Sequence, residues 1–187
     1  MGHRANFVLI RDGKATAYYD HWGALACTLS LEEGAKKLEK SVPKLYERVD
    51  ELMDWGFAEG GFLIDYDELV CIAFGTPDVD MGDMPEEYAD EGQATLDAFE
   101  EGWESFVRYM EKGWRGYTMI WDVRGVDAFA AHLERRKITD VKTAKPSAPK
   151  EYAKMKPDVV VVAEAPAKNA PAKKASAAKS VKKKKSG

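Results

Sequence analysis

Hydrophobic residues recur along this chain with two different periods, and the change from one to the other marks the expected elements. Phe7 to Arg11 and Lys14 to Asp20 are strand-like runs separated by Asp12-Gly13. An Asp-Gly pair between such runs predicts a two-residue type I′ hairpin, because both turn positions need positive φ. Phe7, Leu9 and Tyr18 would share one face, and Val8, Ile10 and Tyr19 the other. The hairpin is therefore expected centrally in a sheet that is covered on both sides. Ser30-Leu31-Glu32-Glu33 has the form of a capping box and predicts a helix start. Pro43 should break or kink that helix. Leu45, Val49 and Leu52 then continue at helical spacing to about Trp55, where Gly56 ends the element.

Residues 61–76 read as a second hairpin, with Phe62-Leu63-Ile64 and Leu69-Val70-Cys71-Ile72 flanking a polar tip from Asp65 to Glu68. An acidic loop is expected from Pro77 to about Gly92. Leu96, Phe99, Trp103, Phe106 and Met110 then recur at intervals of three and four, which predicts one long helix. Gly102 inside it would cost about 1 kcal/mol relative to Ala. A fifth strand is expected from Tyr117 to Val123. Val126, Phe129 and Leu133 mark a last helix, which ends in Arg135, Arg136 and Lys137, the charge sign a helix C-terminus favours. The order ββ-αα-ββ-α-β-α defines an α+β fold: a mainly antiparallel sheet of about five strands with helices packed on it.

Charge divides the chain more sharply than this pattern does. The 187 residues carry a net charge of −4. Residues 1–141 hold 15 Lys and Arg against 29 Asp and Glu, a net of −14, whereas residues 142–187 hold 13 Lys and 3 acids, a net of +10. The first part is read as an acidic α+β globular domain. The second, rich in Lys, Ala and Pro and almost without aromatic residues, is read as a disordered tail. Val159 to Val162 interrupts that tail; Pro157 and Pro166 bracket it and Asp158 and Glu164 charge its ends. It is therefore expected to be an apolar patch in the tail rather than a docked strand. No stretch approaches the roughly 20 apolar residues that span a bilayer, so no membrane partner is expected. Nor does a secretory signal open the chain. With only two cysteines, the expectation is a reducing, cytoplasmic setting, nucleoid-associated if the tail meets DNA.

The densest polar chemistry falls at the open end of the first hairpin. A two-residue turn sets His3 opposite Trp22, Arg4 opposite His21 and Asn6 opposite Tyr19, with Asp20 beside them. His3, Arg4, Asp20 and His21 are thus the candidate catalytic residues: Asp20 could orient a histidine while Arg4 holds an anion. The competing reading is that they tie down the N-terminus and the His-Trp-Gly turn. No activated Ser or Cys pattern accompanies them, and Cys27 has only His21 nearby in sequence. Metal ligation finds no support in Cys-x-x-Cys or His-Glu-x-x-His spacing. Asp78-Val79-Asp80-Met81-Gly82-Asp83 misplaces the glycine of a calcium loop and has Ala89 where the final Glu belongs. No metal and no cofactor is expected.

Asp78, Asp80, Asp83, Glu86, Glu87, Asp90 and Glu91 lead a stretch to Glu111 that holds twelve acids and one base. Such a surface can dock a basic protein. In the tail, Lys173, Lys174, Lys179, Lys182, Lys183, Lys184 and Lys185 can neutralise phosphates without reading bases.

Two resemblances add to this. Met1-Gly2-His3-Arg4-Ala5-Asn6, with Tyr18-Tyr19-Asp20-His21-Trp22-Gly23-Ala24, resembles the start of a group of uncharacterised bacterial proteins and implies no activity. The tail resembles the lysine-, alanine- and proline-rich tails of bacterial histone-like and linker-histone-like proteins, which implies non-specific nucleic-acid contact. The leading expectation is a non-catalytic binding or adaptor protein whose tail contacts nucleic acid or another polyanion. One alternative is a small hydrolase or transferase using the His/Arg/Asp cluster. Another is an acidic inhibitor or immunity-type protein for a basic partner.

Overall fold

Asp12 and Gly13 form the predicted turn, with φ of 53° and 71°, and Arg11 pairs with Lys14 and Ala5 with Asp20 in the expected register. The computed structural model describes residues 3–76 and 86–164. Its strands are β1 (Ala5–Arg11), β2 (Lys14–Asp20), β3 (Glu47–Val49), β4 (Gly60–Asp65), β5 (Val70–Phe74), β6 (Thr118–Trp121) and β7 (Asp158–Val161). Its α-helices are α1 (Ala35–Leu45), α2 (Glu86–Glu100), α3 (Trp103–Met110) and α4 (Val126–Arg136). The strands build one sheet in the order β3-β2-β1-β4-β5-β6-β7.

The α+β class holds, but the sheet is mixed and has seven strands rather than about five mainly antiparallel ones. Both predicted hairpins form, yet they meet through a parallel pairing of β1 with β4. A second parallel pairing joins β5 to β6. Periodicity identifies strands and turns but says nothing about which hairpin edges meet. That depends on the crossover segments, which run through α1 in one case and through α2 and α3 in the other.

Alternation along β1 fills two cores. Phe7 and Leu9 join Leu38 and Val42 of α1, and Trp103 and Phe106 of α3, on one face. Val8 and Ile10 join Phe129 and Leu133 of α4 on the other. β4 is buried at every position, as a central strand covered on both faces must be. Each fully buried Phe or Leu contributes about 1.5–3 kcal/mol of apolar burial.

Several helix boundaries differ from expectation. Ser30 does not cap a helix; its hydroxyl donates to the Cys27 carbonyl at 2.6 Å, and residues 29–33 form a 3-10 turn. Helix α1 starts after Gly34, whose φ of 79° suits glycine. Pro43 sits in the last turn of α1 and Tyr46 is already extended. The residues at helical spacing beyond it are therefore not a second helix: they enter β3 and the loop after it, and Leu45 is left exposed. Gly102, with φ of 117°, separates α2 from α3 where one helix was expected.

The segment 142–164 also departs from the disordered reading. Lys142 exchanges backbone hydrogen bonds with Asp50 and Leu52 at 2.9 Å each. The Ser147 and Ala148 amides donate to Asp127 at 2.8 and 2.7 Å, and Tyr152 meets the Trp55 ring at 5.4 Å. Asp158–Val161 then pairs antiparallel with β6. Composition is a poor guide here because the stabilising partners come from distant parts of the chain. Residues 165–187 lie outside the described residues.

The β1–β4 contact depends on glycine. A Cβ on Gly61 would lie 2.0 Å from the Asn6 carbonyl oxygen, a backbone atom that cannot rotate away. Gly61→Ala should therefore destabilise the protein by at least ~3 kcal/mol, read as a lowered midpoint in urea denaturation. An unchanged midpoint would refute this account of the pairing.

Candidate functional site

At the open end of the first hairpin, the four candidate residues are bonded to neighbouring groups rather than to one another. His3 Nδ1 lies 3.0 Å from Glu59 Oε2, and the His3 carbonyl accepts from the Ala24 amide at 2.9 Å. Arg4 accepts from the Glu59 amide through its carbonyl at 2.9 Å, while its guanidinium lies over the exposed Phe57 ring at 5.8 Å. Asp20 accepts from the Trp22 amide at 2.7 Å. His21 Nδ1 lies 3.0 Å from the Tyr19 hydroxyl. The imidazoles of His3 and His21 both contact the Trp22 indole, at 5.9 and 5.1 Å between ring centroids.

The fold therefore gathers the four residues at one end of the sheet, with both histidines beside one indole. Its hydrogen bonds do not join Asp20 to either histidine, so the Asp–His relay of the catalytic reading is not formed. The partner that sequence reasoning missed is Glu59. It neighbours His3 and Arg4 because β1 and β4 run parallel from Ala5↔Gly60 onward, and no local spacing signals such a contact.

Glu59 also lines an open cleft of about 490 Å³, together with Trp55, Phe74, Trp121, Val123 and Tyr152. The Trp55 indole N–H donates to the Val123 carbonyl at 3.2 Å, which fixes one aromatic wall. Aromatic rings and a half-exposed carboxylate suit stacking and hydrogen bonding more than bond-making.

The opposite end of the sheet carries a denser network. Asp65 is fully buried. It accepts from the amides of Asp67 and Glu68 at 3.0 Å each, meets His132 Nε2 at 2.9 Å and lies 3.4 Å from Arg136 Nε. Arg135 Nη2 lies 3.3 Å from His132 Nδ1. A guanidinium can only donate, so Nδ1 is the acceptor and Nε2–H donates to Asp65. Arg135 and Arg136 both pair with Glu68, and their hydrogen bonds hold its carboxyl at about 2, well below the usual range. Asp67 accepts from the amides of Gly13 and Asp12 at 2.8 and 2.9 Å, and these bonds lower its pKa. Two hairpin turns and the end of α4 are thereby tied together.

Asp65, Glu68 and His132 bring three ligating atoms within 4.8 Å of one another. Two arginines already neutralise the carboxylates there, so the cluster reads as an ion-pair network. Burial pushes the Cys27 thiol up to about 12 and raises Cys71 as well, which leaves neither as a thiolate nucleophile near neutral pH.

Of the acidic docking residues, Glu86, Glu87, Asp90 and Glu91 fall in α2, whereas Asp78, Asp80 and Asp83 lie outside the described residues. So do Lys173, Lys174, Lys179 and Lys182 to Lys185. No helix among the described residues is long and apolar enough to cross a membrane. No protein-family model, curated protein or solved structure matches this chain.

Two outcomes test the Asp65 network. Asp65→Ala leaves His132 and Arg136 without their buried acceptor and should cost about 3–5 kcal/mol in urea unfolding. Glu68 has a depressed folded-state pKa, so its contribution is present above its ordinary 4.5 and lost as pH falls toward about 2. Stability should decline through that window, and Glu68→Gln should flatten the decline. An identical acid profile in the variant would show that the arginine pairing contributes nothing.

Proposed function

We propose that this is a non-catalytic binding protein, in which an acidic α+β domain presents a lysine-rich C-terminal segment to nucleic acid. The observation that carries the reading is where that segment begins. Strand β7 is bonded to β6, and the Val162 amide and carbonyl are bonded to Tyr117 and Gly116. The eight lysines of residues 165–187, with no Asp or Glu among them, therefore follow directly from a strand held in the sheet. A run of lysines attached at one edge of an acidic body can engage phosphates while the body is kept off them by its own charge. Asp20 bonds to the Trp22 amide, and His3 and His21 to Glu59 and Tyr19, which favours this reading over a hydrolase or transferase. The aromatic cleft beside Glu59 is consistent with a second binding role and supplies no acid–base relay.

Binding of the full chain to duplex DNA and to RNA should be steeply salt-dependent and indifferent to sequence. Replacing Lys182, Lys183, Lys184 and Lys185 by Gln should flatten the slope of log affinity against log salt on duplex DNA by roughly 3–4. Equal slopes for the two proteins would overturn the assignment. A preference for one base sequence would do the same.

A further inference from the structure

The two edges of the sheet are finished differently. β3 has three residues, and its exposed positions are Glu47 and Arg48, charged groups that discourage strand addition. β7 instead presents Val159 and Val161, which are 54% and 73% exposed, on the sheet face that α4 covers farther in. Val160 and Val162 turn to the opposite face and pack in the core there.

Backbone groups on β7 have a definite direction. The Val162 amide donates to Tyr117 and its carbonyl accepts from Gly116, so Val162 and, by strand alternation, Val160 point their hydrogen-bonding groups inward to β6. Those of Val159, Val161 and Ala163 point outward. β7 is last in the strand order, so this outer edge has no strand partner among the described residues.

From these features we propose that β7 is the interface with a second copy of this chain, the two β7 strands pairing antiparallel about a two-fold axis at Val160. In that register Val159 lies opposite Val161 of the second copy, and Val161 opposite its Val159. Residues with outward-facing groups then meet each other and exchange both hydrogen bonds. Four exposed valines become one apolar strip on a single face of a continuous sheet.

Charge selects the same register. It places exposed Lys156 opposite Glu164 of the second copy, and Glu164 opposite its Lys156. Both are on non-hydrogen-bonded positions, where facing side chains approach most closely. A shift that instead centres the pairing on Val161 would set Asp158 against Glu164, two like charges. A shift that centres it on Val159 would set Val161 against Pro157 and divide the valine strip. Pro157 fits at the end of the proposed pairing, because only its carbonyl is needed there, to accept from Ala163 of the second copy.

Sedimentation equilibrium of the full chain over a wide concentration range tests the proposal. The expected result is reversible dimerisation to twice the 20.8 kDa chain mass. Val159→Lys with Val161→Lys should abolish the dimer while circular dichroism of the monomer is unchanged. Lys156→Glu should weaken dimerisation by about tenfold, and Lys156→Glu combined with Glu164→Lys should restore it. A single-chain mass at every concentration overturns the proposal. A dimer indifferent to the valine pair, or one that the charge exchange fails to restore, overturns it too.

Discussion

The parallel pairing of β1 with β4 is the contact on which the rest of the architecture depends. It joins two hairpins into one sheet, and it requires backbone to approach backbone where Gly61 meets Asn6, closer than any side chain would allow. Because β4 is buried on both faces, both cores must form around it. Its two ends then become the two polar ends of the molecule: Glu59 is brought to His3 and Arg4, and Asp65 to His132 and Arg136.

Those ends are put to different uses. At the Asp65 end, backbone amides, an imidazole and a guanidinium surround one buried carboxylate, and the surrounding charges are paired. Such an arrangement locks elements together and leaves little freedom for chemistry. At the Glu59 end, polar groups are more exposed, aromatic rings line an open cleft and Trp22 and Phe57 face solvent. Exposed polar and aromatic groups gather there, and its two histidines are held by Glu59 and Tyr19.

Legibility followed the range of the interaction involved. The Asp12-Gly13 turn and the two faces of β1 follow from adjacent residues, since turn dihedrals and side-chain alternation are local properties. Helix ends were harder, because competing local bonds decide them. Ser30 bonded back to Cys27 instead of capping, and Gly102 broke a periodicity that continued in the side chains on either side of it. Glu59 was invisible because its proximity to His3 arises only from the parallel register.

The C-terminal segment draws the line most clearly. The sequence by itself determined that charge is divided, that four valines stand between prolines, and that the last lysines carry no balancing acids. These are properties of the covalent chain. Only the tertiary structure decided that residues 142–152 are held by Asp50, Leu52, Asp127 and Trp55 and that Asp158–Val161 completes the sheet. A four-residue strand cannot hold itself in place; it forms because β6 supplies an edge and the first core accepts Val160 and Val162.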